Sequence, residues 1–553
     1  MFAKLRTYLE EAGDEFAFNV LLALTAALFM LQLLSLFTTP IPDSYLWWGD
    51  ESWLMIEFRT QILEGVFRHP YALGSSLEHG SGLLFGNMWI PVVLYGLPAS
   101  LFKNGIDIIL IGRTITALLS ASLLIALFEC VRRLTGDRVV ALFGVLLLLS
   151  SRSFLFTSHS ARYDILTSLS ILIGVYFILR LTSRHRSEEQ PPAIHSAKYA
   201  ILVGACVTLS LIITVHVALA LWLAAFVGLM YISRGQRLLN CGSFFIGGAV
   251  VALILVAVSA LRGQVSLFGS VSANAFSLNL HDIPFLRPFS RSVQFSNVLQ
   301  RWRTLSTLGL GYLIALLVVS ILAVFKYVQK KLSFALDVRF GIVAIILFSW
   351  FEFESAAPTS YLIYVLPVLS VAIALVAWRT LPIRGREWIV LFAGIALTIC
   401  GLTDAWRVRS VGRDISKAND RAVNDALGQV IHGSEDPHPI VLTFNPAVHD
   451  VLMDTSVRLM TTHLVEFPSE VKSGSELTPT QYAIKKAHVR YILLYRSGLK
   501  PDYMREAGPI TDAAYRLGVR VWQQTGVFTD IGRSYFDAQS GTPDTLQLYH
   551  LYD

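Results

Sequence analysis

A helical multi-pass membrane protein carrying a small soluble α/β domain is the fold class this sequence predicts, on three observations. Of its 553 residues, 54% are hydrophobic and only 15% charged, which is too apolar for a soluble globule. Runs of about 20 apolar residues recur through the first three quarters of the chain, each long enough to span a bilayer. After Asp404 the composition changes to an ordinary soluble mixture.

The first apolar run, 17–39, is too long for a signal-peptide core and lacks a small-residue cleavage site, so it reads as a retained helix. Further runs fall at 106–130, 138–156, 163–181, 198–233, 238–261, 306–325, 332–351, 360–378 and 388–403. The run 198–233 divides into two helices near Val215 and His216. The run 83–102 is interrupted by Pro91 and Pro98, and basic residues decide its placement. If it lies in or re-enters the outer interface, the inner loops collect Lys4, Arg6, Arg132, Arg133, Arg138, Arg180, Arg184, Arg234, Lys326, Lys330, Arg379 and Arg386. If it crosses, every later loop changes side and that bias disappears. The sequence therefore predicts about eleven transmembrane helices plus outer juxtamembrane helices, with the N-terminus inside and the C-terminus outside.

Positive charge here reports topology, so the net charge of +6 is no sign of a nucleic-acid partner. Cys130, Cys206, Cys241 and Cys400 lie in or at the ends of apolar runs without a CxxC spacing, which argues against a disulfide framework or a zinc site. Residues 1–404 form the expected membrane domain, with outer stretches at 40–105, 157–164 and 262–303. Residues 405–553 form the expected extracytoplasmic α/β domain, where strand-like "PIVLTF" and "RYILLY" alternate with helical "PTQYAIKKA".

Two outer acidic features carry chemistry. "WWGDESW" places Asp50 and Glu51 side by side after the first helix, and "ARYDIL" places Arg162 and Asp164 at the outer end of a span. As structure alone, the first is an interfacial helix cap framed by tryptophans and the second an ion pair anchoring a helix end. Yet charges at the lip of a membrane helix tend to be functional. A carboxylate can take the proton from an acceptor hydroxyl that attacks a lipid-linked sugar, and positive charge can stabilise the departing phosphate.

The ordered set "GDESW", "LEHGSGLLFG", "VRRLTGD", "ARYDILTSLSILIGVYFILR" and "YLIYVLPVLSVAIAL" resembles the GT-C glycosyltransferases. The likeness is to the branch of the protein O-mannosyltransferases and the lipid A aminoarabinose transferase, and covers residues 1–400. It implies inverting transfer from a polyprenyl-phosphate sugar to a lipid, glycan or protein hydroxyl on the extracytoplasmic face of the cell inner or plasma membrane. Asp50 matches the family's general base, Glu51 its acidic neighbour, and Arg162 and Asp164 the Arg-x-acid of the second outer turn.

Members often place a basic residue just before the tyrosine of the late "Y…P" helix. Here Thr359 and Ser360 precede Tyr361, so the phosphate clamp must be sought elsewhere. Arg287 and Arg291, with Arg301 and Arg303, either supply it or form a basic rim against anionic headgroups. Arg113 either joins the substrate or snorkels to the interface. Glu354 either lines the acceptor approach or is a solvated helix end. Glu78, His79 and His281 are the candidate ligands of a divalent cation, against ordinary polar surface. Two other classes stay open: a transporter or flippase of a lipid-linked saccharide, and a non-catalytic membrane scaffold. A transporter predicts internal repeats and charged mid-membrane helices. No repeat is visible, and the acids collect at one face.

Overall fold

The computed structural model describes residues 2–38, 50–64, 89–158, 160–184, 193–213, 226, 229, 236–261, 309–329, 363–383, 385–443, 458–461, 479–486, 488–496, 512–529 and 542–552. They pack as two units: Met1–Ser35, Thr116–His159 and Tyr163–Trp406, and then Leu36–Ile115, Ser160–Arg162 and Arg407–Asp553.

The helices are α1 (Phe2–Thr38), α2 (Asp50–Glu64), α3 (Gly105–Thr135), α4 (Arg138–Leu149), α5 (Arg152–Thr157), α6 (Asp164–Arg184), α7 (Ala193–Ile213), α8 (Arg237–Leu261), α9 (Leu310–Val328), α10 (Leu366–Thr380) and α11 (Arg386–Gly433). Among the described residues, four segments are long and apolar enough to cross a membrane: Gly13–Leu34, Gly105–Thr135, Arg237–Ile254 and Arg386–Arg407. The expected span 332–351 lies outside the described residues.

In the first unit, α4 is apolar on every side and almost wholly buried, as a central helix should be. Leu146 and Leu147 of α4 share a core with Leu21 of α1, Leu127 of α3, Leu172 of α6 and Leu369 of α10. Leu253 of α8, Leu317 of α9 and Phe392 of α11 are exposed, as suits lipid contact.

The run 138–156 reads as one span but is broken at Ser150 and Ser151. The two hydroxyls donate to the carbonyls of Leu147 and Leu148, and Ser151 Oγ also accepts the N–H of Phe154 to cap α5. Serines that hydrogen-bond locally compete with helix continuation.

Interhelical contacts sort the helix ends of this unit into two groups. At one end Arg138 pairs with Asp14 at 3.5 Å and Arg386 with Asp137 at 3.4 Å, while Asp137 Oδ1 accepts the N–H groups of Val139 and Val140 as the cap of α4. At the other end Gln32 Nε2 donates to Leu149 O at 3.1 Å, Ser168 Oγ to Ile363 O at 3.1 Å, and Tyr312 Oη to Leu366 O at 3.3 Å. There Arg152 Nη2 also donates to Asp404 Oδ1 at 2.6 Å, with the side chains only 11% and 10% exposed.

Asp404 Oδ2 has no hydrogen-bond partner among the described residues, so this carboxylate depends on one guanidinium. Arg152→Met is expected to destabilise the protein by about 3–5 kcal/mol, as removal of one partner of a buried pair does. Arg152→Met with Asp404→Leu should recover most of that loss, read as the melting midpoint in detergent.

In the second unit, the segment after α2 is helical in pieces: Trp89–Pro91, a π turn at Val92–Gly96, and Leu97–Ala99. Prolines remove backbone donors and break the regular ladder. Among the described residues of the run 83–102 the longest helical stretch is the broken one from Trp89 to Ala99.

The rest of this unit is a five-stranded sheet of β1 (Ile440–Thr443), β2 (Arg458–Thr461), β3 (Val489–Tyr495), β4 (Gly518–Thr529) and β5 (Thr542–Leu551), in the order β2-β1-β3-β5-β4. β1 pairs in parallel with β2 and β3, and β5 antiparallel with β3 and β4. Alternate side chains go to opposite faces. Leu442, Ile492 and Leu494 pack with Ile484 of α12 (Pro479–Lys486) and with Ala513 and Ala514. Val441, Tyr491, Leu493 and Leu548 pack against Ala422, Val423, Ala426, Leu427 and Val430 of α11. Pairing of β4 with β5 shifts between Thr525 and Val527, where Gly526 adopts φ +84°, the left-handed conformation of a glycine bulge.

Candidate active-site residues

Asp50 is the first residue of α2 and Glu51 the second. The side chain of Asp50 lies outside the described residues. Glu51 is buried at 2% exposure and Arg113, on α3, at 1%. Arg113 Nε donates to Glu51 Oε1 at 2.7 Å and Nη2 to Oε2 at 2.9 Å, the fork-to-fork geometry that makes arginine–carboxylate pairs strong. Glu51 Oε1 also accepts the N–H of Ala161 at 2.7 Å. Both oxygens of the carboxylate are thus bound, one of them twice, which offsets the desolvation that a buried ion pair incurs.

Small residues permit this arrangement. A Cβ added at Gly112 would lie 2.5 Å from Met55 Sδ and 2.7 Å from the Cβ of Ala161, so the neighbour of Arg113 must be glycine for α2, α3 and the 160–162 turn to meet. At Gly96 an added Cβ would lie 2.4 Å from Phe58 O. Beside it Tyr95 is fully buried, packs against Phe58 with ring centroids 6.3 Å apart and planes tilted by 40°, and donates its hydroxyl to Arg162 O at 2.9 Å. The acid at position 51 is therefore held among α2, α3, the π turn and the chain at 160–162.

In the first unit, Asp164 is the first residue of α6 and fully buried. Tyr364 Oη donates to Asp164 Oδ1, and Ser168 Oγ bridges Asp164 O and Ile363 O. The start of α6 is thus fastened to the chain just before α10, within the "YLIYVLP" stretch. Arg162, two residues ahead of Asp164, is 3% exposed.

The sequence singled out Glu51, Arg113, Arg162 and Asp164, and the structure joins Glu51 to Arg113 directly. Arg113 does not snorkel: it is buried and bound to a carboxylate. Tyr364, Ala161 and Gly112 were not singled out. Tyr364 lies 200 positions from Asp164, and its only sequence signal was a place in the "Y…P" stretch, where Tyr361 drew attention instead. Tyr361, Glu354, Arg287, Arg291, Glu78, His79 and His281 lie outside the described residues. Among the described residues no group of three or more His, Cys, Asp or Glu comes together to hold a metal ion.

No protein-family model matches the chain, and no curated protein sequence matches it. Known structures do resemble it. ArnT from Cupriavidus metallidurans, in a crystal structure bound to undecaprenyl phosphate, is similar with a TM-score of 0.52 at 13% identity, over 95% of this chain and 97% of ArnT. The apo form of ArnT gives 0.48 at 14% identity, over 90% and 93% of the two chains. The archaeal oligosaccharyltransferase AglB from Archaeoglobus fulgidus, in complex with an inhibitory peptide and a dolichol-phosphate, gives 0.47 at 11% identity, over 91% of this chain and 72% of AglB. The chain shares its fold with ArnT over nearly its whole length.

Proposed function

We propose that this protein is an inverting glycosyltransferase, moving a sugar from a polyprenyl-phosphate donor to a hydroxyl of a lipid, glycan or protein acceptor on the extracytoplasmic face of the inner or plasma membrane. The likeness to ArnT, crystallised with undecaprenyl phosphate, over 95% of this chain is the observation that carries this reading. Acids opening α2 and α6 support it, as does the apolar composition. The full topology has about eleven spans, and residues 405–553 serve as a lid, an acceptor-docking module or an interaction platform.

In this reading Asp50 accepts the proton of the acceptor hydroxyl as its oxygen attacks the anomeric carbon. The bond from that carbon to the phosphate oxygen breaks, and polyprenyl phosphate leaves with the electron pair. Asp164, bound by Tyr364 Oη, orients the acceptor or supports the base. Arg287 and Arg291 supply positive charge to the leaving phosphate, with Arg162 beside the reacting groups. Tyr361 and Glu354 line the approach. Glu78, His79 and His281 offer one carboxylate and two imidazoles, a donor set suited to a divalent transition metal, which would add Lewis-acid charge stabilisation when bound. Undecaprenyl phosphate bearing α- or β-linked sugars, supplied to protein in nanodiscs with a membrane extract as acceptor source, tests the reading. The expected product carries the opposite anomeric configuration to its donor. Retention of configuration, or translocation of the donor without transfer, overturns it.

A further inference from the structure

We propose that Glu51 and Arg113 are positioning residues that hold the backbone of Asp50, and that Glu51 is not a second base. The inference rests on the glycosyl-transfer reading and assigns different roles to two adjacent acids.

A general base must bring a lone pair within about 2.6–3.2 Å of the proton it takes. Glu51 already accepts from Arg113 Nε at 2.7 Å, Arg113 Nη2 at 2.9 Å and Ala161 N at 2.7 Å. With 2% of its surface exposed, it has no open side from which to receive an acceptor hydroxyl. To act as base or metal ligand it would have to break a two-bond fork to an arginine that is itself 1% exposed.

What Glu51 can do is fix the first turn of α2, where one peptide bond separates it from Asp50. The fork to Arg113 sets the rotation of that turn against α3. Gly112, which has no room for a Cβ beside Met55 and Ala161, sets its distance. Ala161 N–H ties the same carboxylate to the chain leading, three residues later, into Asp164. Tyr95 Oη, on Arg162 O at 2.9 Å, steadies that chain from the other side. A single buried carboxylate thus fixes the backbone that carries Asp50. Misplacement of a catalytic group by about 1 Å can lower the rate by about 10²-fold, so this anchoring has kinetic weight.

The test compares Asp50→Asn, Glu51→Gln, Arg113→Gln and the Glu51→Gln/Arg113→Gln double variant. It uses nanodiscs and the panel of undecaprenyl-phosphate sugars, with kcat and KM measured across the pH range in which the protein stays folded. Glu51→Gln and Arg113→Gln are each expected to lower kcat by about 10²-fold with KM for the donor unchanged, and to keep the acid limb of the kcat profile. The double variant is expected to be no worse than the poorer single, because the two act as one unit. Asp50→Asn should lose the acid limb.

Loss of that limb in Glu51→Gln overturns the proposal, since Glu51 would then be the base. So does a rise in KM for Arg113→Gln that multiplies with the effect of Glu51→Gln, which would mark Arg113 as an independent phosphate contact. If a single variant fails to fold, the apolar pair Glu51→Leu/Arg113→Met takes its place. It is expected to fold, to bind undecaprenyl phosphate like the wild type and to turn over slowly, and wild-type kcat from it overturns the proposal. Full activity in Asp50→Asn overturns the base reading and the positioning role together. With Asp50→Asn inactive, the pH profiles and the double variant judge the positioning role alone. Absence of transfer from every donor overturns both.

Discussion

Asp50→Asn is expected to lower turnover for glycosyl transfer by about 10²–10⁴-fold, the usual contribution of a positioned general base. Asparagine matches aspartate in shape but cannot accept the proton of the attacking hydroxyl. Because the substitution removes proton acceptance and leaves the Glu51–Arg113 fork in place, the loss should appear in kcat. Affinity for undecaprenyl phosphate, measured by competition with a labelled analogue, should stay at the wild-type level. Glu51 cannot substitute, since both its oxygens are bound by Arg113 and Ala161.

The largest stability effect is expected at Arg113. Replacing it by Met leaves the Glu51 carboxylate, 2% exposed, with the N–H of Ala161 but without the guanidinium that balances its charge. Removing one partner of a buried ion pair typically costs about 3–5 kcal/mol, so the melting midpoint in detergent should fall well below that of the wild type. A surface substitution such as Arg516→Met gives the contrast. Arg516 pairs with Asp512 at 2.9 Å while 69% exposed, and exposed pairs contribute little. Its melting midpoint should stay close to the wild-type value.

Much of the helical framework was legible in the chain. Long apolar stretches without interruption became α1, α3, α6 and α8, because twenty apolar residues have few other ways to satisfy their backbone than a helix. "PIVLTF" and "RYILLY" became β1 and β3, since their apolar residues reach both faces of a sheet covered on both sides. What stayed illegible depended on small or distant partners. The break at Ser150 and Ser151 sits inside an apolar run, and only the carbonyls those hydroxyls find reveal it. The last apolar run ends near Asp404, and nothing in it shows that α11 continues to Gly433. No proline interrupts that stretch, and Ala422, Ala426 and Val430 repeat at helical spacing to cover the sheet.

The site was legible in its acids and not in their roles. Nothing in "GDESW" distinguishes Asp50 from Glu51. The distinction comes from Arg113, 62 positions away, and Ala161, 110 positions away. Arg113 alone read as a phosphate contact or as an interfacial anchor, because a lone arginine near a helix end gives no hint of a buried carboxylate facing it. Tyr364 was passed over beside Tyr361 for the same reason: its contact with Asp164 exists only once α6 and α10 are packed.

In the proposed reaction a sugar leaves polyprenyl phosphate for an acceptor hydroxyl. The most direct measurement follows both products of one reaction, using purified protein in nanodiscs, a doubly labelled undecaprenyl-phosphate sugar and a membrane extract. Labelled sugar is expected on the acceptor as free undecaprenyl phosphate is released in equal amount, and Asp50→Asn is expected to suppress both together. Sugar that stays on its lipid with every donor, or moves across the bilayer still attached, would contradict the proposed reaction.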